Sequence, residues 1–468
     1  MTTKTETAPN LKDATDWQKR SQNNPLMWMS RCLRGKLWSK QKDIVKSVGD
    51  NQRTIVQSCF GSGKSHIAGK IILWYQYNFI PSKVITTATS WNQVEKILWS
   101  EIGAIYNRAR VPLGGRLLQT ELKLQEDWFS LGLSPLINVE HEATRFEGYH
   151  SPNVLVVIDQ AQGINSKLWD VAVSLVTNES SRILVLGNPA SPSGRYYDAC
   201  RNAELWNKIH IPASCVPNVV EGKEVIPGLI SRQWIKDREN DWGKDNPLYI
   251  SKVLAEFPEE AEDVLILLSW VESAKNRELE AIGSKGLGVD VARFGEAETV
   301  LKVMIGDKNV DTMMYRGKDL MKTVGNTIRM MEKWKVPMYC VCVDDVGLGG
   351  GVTDGLKEEG FVIKPINAGS KADKPDKFVN MGTEMYWEMR DRFKNERMDI
   401  PDDEILMGQL TGRKYEITRK GQIKIEGKED MKKRGLKSPD RADALALAIK
   451  GQSYYGKGEG GPRLTVIE

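Results

Sequence analysis

Ser58-Cys59-Phe60-Gly61-Ser62-Gly63-Lys64-Ser65 is the stretch around which the chain is organised. It follows Arg53-Thr54-Ile55-Val56-Gln57, a β-branched run that reads as a buried strand, and precedes His66–Tyr75, whose apolar spacing suits a helix. Strand, glycine-rich turn and Gly-Lys-Ser opening a helix is the layout of a phosphate-binding loop of the Walker A type. Gly61, Ser62 and Gly63 let backbone N–H groups close around an oxyanion, and the helix N-terminus adds about half a positive charge. Lys64 is placed to reach β- and γ-phosphates and the Ser65 hydroxyl to ligate Mg²⁺, so ATP with Mg²⁺ is the expected ligand. Ser58 stands where the usual pattern begins with Gly.

At 468 residues the chain is long enough for two or three domains, each with its own core. The net charge of +4 is too small to argue for nucleic acid by itself, so local charge has to carry that reading. Six cysteines (Cys32, Cys59, Cys200, Cys215, Cys340 and Cys342) form no Cys-x-x-Cys pair and no zinc spacing, and read as reduced thiols. The longest apolar runs, Met338–Val343 and Ala444–Ile449, are too short to span a bilayer, and no secretory signal is visible, so no membrane partner is expected.

Residues 1–16 are polar and read as a flexible arm; Trp17–Cys32 follows with a helical pattern, and Leu37-Trp38-Ser39-Lys40-Gln41 opens another helix. Gln41, shortly before the phosphate loop, can read a donor and an acceptor on an adenine edge, with Trp38 placed to stack nearby. Lys83–Ala88 reads as a second strand, with Ser90 capping a helix over 92–104, and Pro135–His141 as a third strand. Val154-Leu155-Val156-Val157-Ile158 is a continuous apolar run, as in a fully buried parallel strand. Asp159 at its end sits at the ligand-binding edge of such a sheet and is expected to hold Mg²⁺ opposite Ser65. Arg182–Leu186 is a further strand, and Asn188 in the Gly187-Asn188-Pro189 that ends it is placed to sense the γ-phosphate. Arg145, Arg195 and Arg201 are candidates for an arginine finger reaching a neighbouring subunit, each with the alternative of a surface arginine.

Gln160 is out of pattern. Motors with this loop place Glu directly after the strand-end Asp, where it polarises the attacking water; Gln can still hydrogen-bond that water but cannot take its proton. We read Gln160 as an engineered substitution that traps bound ATP, the competing reading being a natural variant whose water-activating group lies elsewhere.

Residues 212–283 read as a lid or linker region, with a mostly helical stretch over 233–254 and an acidic hinge over 257–263. A second domain, 284–452, opens with a strand that carries Asp290, continues as an antiparallel meander, and reaches a third apolar strand ending in Asp344-Asp345. Ser438-Pro439-Asp440-Arg441-Ala442-Asp443 then opens a helix. Carboxylates on two strand ends and a helix start can converge on a pair of hard cations, which want oxygen ligands and stabilise both the attacking and the leaving oxygen of phosphodiester hydrolysis. Mg²⁺ or Mn²⁺ suits such a site; each Asp alone reads equally as a strand end or a cap. Between residues 413 and 437 lie Arg413, Lys414, Arg419, Lys420, Lys424, Lys428, Lys432, Lys433, Arg434 and Lys437, a basic stretch suited to sequence-independent, salt-sensitive phosphate contact with DNA. The tail, 453–468, is glycine-rich and reads as flexible.

LWSKQ at 37–41, SCFGSGKS at 58–65, FEGYH at 146–150, VLVVIDQAQ at 154–162 and GNP at 187–189 together resemble the large terminase subunits of tailed bacteriophages. The resemblance spans nearly the whole chain. It implies an α/β chain with an N-terminal P-loop (RecA-like) ATPase domain, here 17–211, and a C-terminal ribonuclease-H-like nuclease domain. It also implies a ring, pentameric on the portal protein of a procapsid, that pumps double-stranded DNA in the host cytoplasm with a small terminase subunit as partner. Asp290 and Asp344 match the first two acidic positions of the nuclease; Asp440 is our choice for the third, with Asp443 the second candidate. Phe60 sits where some members carry a cis-acting arginine. The alternatives are a helicase–nuclease of DNA repair, which needs a second RecA-like domain, and an ATP-gated scaffold without hydrolysis.

Overall fold

The computed structural model describes residues 11–133, 149, 151–259, 263–292, 298–317, 319–347 and 349–456. The first ten residues of the arm, the expected strand Pro135–His141, Arg145, all of FEGYH except Tyr149, residues 260–262 of the acidic hinge and the tail from 457 lie outside the described residues. The chain divides into two compact units: residues 1–236 with 250–259, and residues 237–249 with 260–468. The stretch 212–283 is thus shared between them.

In the first unit the strands are β1 (Arg53–Ser58), β2 (Lys83–Thr87), β3 (Arg116–Leu117), β4 (Glu121–Gln125), β5 (Trp128–Gly132), β6 (Val154–Ile158), β7 (Arg182–Gly187) and β8 (Asn207–Ile211). They form one sheet in the order β3-β4-β5-β2-β6-β7-β1-β8. From β5 to β8 all pairings are parallel, and β3 and β4 add an antiparallel edge. The central strands β1, β2, β6 and β7 are buried almost end to end, and β6 is apolar throughout, as in a parallel sheet covered on both faces. The phosphate-loop helix, Lys64–Asn78, is apolar nearly all round, with Ile67, Ile71, Ile72, Trp74 and Tyr75 buried, as expected of a core helix. Because β7 lies between β1 and β6, the carboxyl ends of β1, β7 and β6 stand side by side. Those ends carry the phosphate loop, Asn188 and Asp159, which is why segments about a hundred residues apart meet there.

Several expected elements end elsewhere. The helix expected over Trp17–Cys32 is two, Leu11–Asn23 and Pro25–Cys32, because Asn24 caps the second (its side chain accepts from the Met27 N–H) and Pro25 occupies its first position. Residues Gln93–Trp99, inside the helix expected over 92–104, wind as a π-helix before Ser100–Asn107 continues as α. Strands β3–β5 and β8 are short and partly polar, without the apolar run that marks a buried strand.

In the second unit β9 (Lys285–Asp290), β10 (Thr299–Ile305), β11 (Lys308–Tyr315), β12 (Val341–Asp344) and β13 (Lys364–Ile366) form a sheet in the order β11-β10-β9-β12-β13. The first three strands are an antiparallel meander, and β12 and β13 join in parallel, the strand order of a ribonuclease-H-like sheet. The run expected as a strand from Met338 begins as a 3₁₀ turn, Met338–Cys340, and becomes strand at Val341. A two-stranded hairpin, β14 (Tyr415–Ile417) and β15 (Ile423–Ile425), stands apart from this sheet.

The final helix, Asp440–Gln452, lies directly on β9, and the sequence permits this at two points. A Cβ on Gly286 or Gly288 would collide with the carbonyl oxygens of Ala448 and Ala444, backbone against backbone. These glycines bring the helix start, with Asp440 and Asp443, to the strand end that carries Asp290. The chain is therefore α/β throughout, a P-loop ATPase fold followed by a ribonuclease-H-like fold.

Candidate functional site

The phosphate loop is held in shape by its own side chains together with Gln41 and Asn188. Gly61 and Gly63 have φ of +58° and +80°, the left-handed region that glycine enters without cost. A Cβ on Gly63 would lie 2.8 Å from Nε2 of Gln41. Ser58 has no left-handed φ and needs none: its hydroxyl lies 3.1 Å from that of Ser62, and its carbonyl accepts from Asn188 Nδ2 at 2.6 Å. A glycine there would lose the hydroxyl contact. Lys64 Nζ donates to the Cys59 carbonyl at 2.9 Å and to Asn188 Oδ1 at 3.5 Å.

Ser65 Oγ donates to Asp159 Oδ2 at 2.7 Å, so the two residues expected to share Mg²⁺ touch directly. Asp159 is 2 % exposed; burial pushes its carboxyl above the usual carboxylate range, and the Ser65 hydroxyl and the Lys64 charge pull it part of the way back. Gln160 has φ +54°, and its N–H donates to Asp159 Oδ1 at 3.0 Å. Its side-chain amide donates to Gln93 Oε1 at 2.9 Å. Gln41 Nε2 donates to the Gly63 carbonyl at 3.3 Å, putting this side chain against the loop. Trp38, expected to stack near an adenine, is 6 % exposed, and Gln41 is 4 % exposed.

The acidic cluster is assembled from two strand ends and the final helix. Asp290 is driven far above the usual carboxylate range, first by burial and then by the negative charge of Asp443. Asp344, raised mainly by burial, is hydrogen-bonded to Asp290. Asp443 lies below the ordinary value although buried: Lys428 Nζ stands 2.6 Å from Oδ2, Arg413 3.3 Å from Oδ1, and the Tyr386 hydroxyl donates at 2.5 Å. Lys428 also faces Asp290 and Asp344, and the three carboxylates hold it charged well above the ordinary lysine value. Asp440 turns the other way, accepting from the Glu298 N–H at 2.9 Å. Arg441 holds Glu298 at 2.9 Å and Asp403 at 2.7 Å. Of the two candidates for the third position, Asp443 is therefore the one whose charge Asp290 feels more strongly.

As arranged, no three His, Cys, Asp or Glu side chains among the described residues form a metal site. The donor chemistry nevertheless fits hard cations. The donors are all carboxylate oxygens, and three of them, Asp290, Asp344 and Asp440, are pushed upward mainly by burial, with the Lys428 charge pulling each part of the way back.

A protein of Enterobacteria phage P7 described as a probable terminase large subunit is 27% identical to this chain over 445 residues, covering 88% of this chain and 87% of its own length. Over most of its length the chain is thus similar to a large terminase subunit. The large terminase of the thermophilic bacteriophage D6E superposes with a TM-score of 0.42 at 10% identity, over 88% of this chain and 98% of that one. The nuclease domain of the large terminase subunit gp2 of bacterial virus Sf6 gives 0.34 at 17% identity, over 40% of this chain and 97% of that one. No family model matches the chain.

Around these sites are groups that sequence reading passes over. Gln162 Oε1 accepts from the Asn188 N–H at 3.2 Å and so helps aim that side chain; it sits two residues beyond Gln160, in the same motif. Gln93 and Tyr386 carry no local signal at all, and Arg413 was read only as part of the basic stretch. Of the arginine-finger candidates, Arg195 pairs with Asp170 at 2.8 Å and Arg201 lies over the Tyr197 ring, while Arg145 lies outside the described residues. Seven cations of the basic stretch have a carboxylate partner: Arg413, Lys414, Lys424, Lys428, Lys433, Arg434 and Lys437. Arg419 and Lys420, at the tip of the β14–β15 hairpin, are exposed.

Proposed function

We propose that the chain is a viral DNA-packaging motor that hydrolyses ATP to drive double-stranded DNA into a procapsid and cuts concatemeric DNA with a metal-dependent endonuclease. One observation carries this reading: a phosphate loop with its Ser65–Asp159 pair in one unit, and in the other unit a cluster of strand-end carboxylates on a ribonuclease-H-like sheet. Gln41 faces the adenine edge; the N–H groups of Gly61, Ser62 and Gly63 take the phosphates; Lys64 leaves the Cys59 carbonyl for the β- and γ-phosphates; and Ser65 and Asp159 hold Mg²⁺. Asn188, bonded to both Lys64 and the Ser58 carbonyl, is placed to register the γ-phosphate.

Gln160 orients the attacking water but accepts no proton, so as an ATP-trapping substitution it leaves this chain slow; restoring a base is worth about 10²–10⁴-fold. In the second unit Asp290, Asp344 and Asp443 hold Mg²⁺ or Mn²⁺, with Asp440 as the flanking carboxylate. When bound, the ions stabilise the attacking and leaving oxygens of the phosphodiester. Asp443, already ionised beside Lys428 and Arg413, needs no proton removed before it binds metal.

The proposed partners are double-stranded DNA, the portal protein, a small terminase subunit and further copies of this chain in a pentameric ring, docked at the portal in the host cytoplasm. The test is steady-state ATP turnover of the chain beside its Gln160→Glu variant, with DNA and procapsids present. The trapped-motor reading expects the variant to turn over much faster and to package DNA; equal turnover refutes it.

A further inference from the structure

Asp443 lies in the first turn of the final helix, and its two carboxylate oxygens are held differently. Oδ1 is engaged from two sides: the Tyr386 hydroxyl donates to it at 2.5 Å, and Arg413 Nη1 donates to it at 3.3 Å. Oδ2 is the oxygen that Lys428 approaches at 2.6 Å, and the Lys428 charge also bears on Asp290 and Asp344. One oxygen is thus bound into the protein, and the other belongs to the carboxylate cluster.

Both donors come from outside the final helix. Tyr386 lies on the helix Met381–Lys394, whose buried residues Gly382, Met385, Tyr386, Met389 and Phe393 recur at three- and four-residue spacing and share one face. Asn380 caps that helix, its side chain accepting from the Thr383 N–H at 2.9 Å, and so sets where along the chain the face begins. Tyr386 is 2 % exposed; a phenylalanine would fill the same space, so packing alone does not call for the hydroxyl. Arg413 follows the helix Glu404–Gly412 and is buried. Its Nε donates to the Glu426 carbonyl at 3.1 Å, and its guanidinium carbon stands 4.1 Å from the centroid of the Tyr386 ring. Tyrosine and arginine therefore support each other as well as the carboxylate. A carboxylate free to rotate presents either oxygen. One held at Oδ1 by two donors from separate elements cannot exchange its oxygens without giving up both bonds.

We propose that Tyr386 and Arg413 are positioning residues for metal at the acidic cluster: they immobilise Asp443 by Oδ1 so that Oδ2 is the oxygen offered to a divalent cation. The proposal rests on the reading of Asp290, Asp344 and Asp443 as metal ligands. Neither residue is asked to touch the cation; both act through Asp443. Groups that orient a ligating side chain from behind govern metal affinity by about 10–100-fold.

The experiment is isothermal titration of Mn²⁺ into the metal-free full chain and its variants. Electron paramagnetic resonance of free Mn²⁺ gives a second readout, and thermal unfolding before metal is added checks the fold. Tyr386→Phe removes only the hydroxyl oxygen, and its Mn²⁺ dissociation constant should rise about 10–100-fold. On an Asp443→Asn background the same change should cost nothing further. Arg413→Lys keeps the charge but not the planar fork and should weaken Mn²⁺ binding in the same direction, which carries the test if Tyr386→Phe does not fold. Unchanged Mn²⁺ affinity in either folded variant overturns the proposal, as does a loss in Tyr386→Phe that persists in full on the Asp443→Asn background. If the unmodified chain binds no Mn²⁺, or Asp443→Asn binds it as tightly, the metal reading of the cluster falls first and the proposal falls with it.

Discussion

The phosphate loop takes its shape from one run of eight residues, whereas the acidic cluster is drawn from β9, β12 and the start of a helix some 150 residues after the first of them. The loop is also close to self-sufficient electrically, since Ser65 donates to Asp159 and the Lys64 charge bears on the same carboxyl. The cluster is not: four carboxylates crowd one sheet edge and depend on Lys428 and Arg413 for counter-charge. A site made by local backbone conformation tolerates change elsewhere in the fold. A site made by convergence is as sensitive to the elements that bring it together as to its own side chains.

The sharpest way to break this comparison is to disable each site separately. Lys64→Ala should abolish ATP binding and leave DNA cleavage in place, while Asp290→Asn should cost cleavage about 10²–10³-fold with ATP binding unchanged, measured by nucleotide titration and by plasmid nicking. Loss of both activities in either variant would mean that the sites do not act independently.

Next in size is the packing that makes the cluster. Gly288→Ala sets a methyl group against the Ala444 carbonyl, and neither backbone can give way cheaply. It should destabilise the second unit by about 1–3 kcal/mol or more and weaken cleavage without touching any carboxylate. Thermal unfolding and nicking assays check this. Gly103→Ala, where a Cβ would meet the flexible Leu117 side chain at 3.8 Å, is the control and should be near neutral.

Each unit also buries a lysine, and both respond to pH in the same sense. Burial lowers Lys302, fully enclosed and bonded to Asn309 and Thr312, from 10.5 to about 8, and likewise lowers Lys70 in the first unit to about 8. Because the unfolded chain then binds more protons between those values, stability should rise with pH from about 8 to 10.5, by at most ~1.4 kcal/mol per pH unit per group. Lys302→Met should flatten that rise, as seen in denaturant unfolding at pH 8 and 10.

The smallest effect concerns DNA. With seven of the ten basic-stretch cations already facing carboxylates, Arg419→Ala and Lys420→Ala should each lower the salt dependence of DNA binding by about one unit of log–log slope. Lys433→Ala, removing a cation paired with Asp430 at 2.7 Å, should change it less.

Much of the molecule was legible from local pattern. The loop, the apolar run before Asp159 and the helix after Lys64 each carry their structure in consecutive residues, because strand, turn and helix periodicities are local properties. The short strands β3, β4 and β8, partly polar, carried no such signal, being strands by virtue of their neighbours. Trp38 shows the converse: its position near Gln41 suggested a ligand contact, and its burial is a matter of packing that this position does not announce.

By itself, then, the sequence determined the phosphate loop, the strand-end aspartates and the α/β character of both units, since each depends on residues adjacent in the chain. Tertiary structure alone decided that Gln93 meets Gln160, that Lys252 lies over Phe60 and that Lys428 stands among the carboxylates. It also decided that Asp443 rather than Asp440 bears on Asp290 more strongly, because the helix lies close enough on Gly286 and Gly288 for its second acidic residue to face the strand end. Those are relations between charges and surfaces brought together by packing, and no spacing along the chain encodes them.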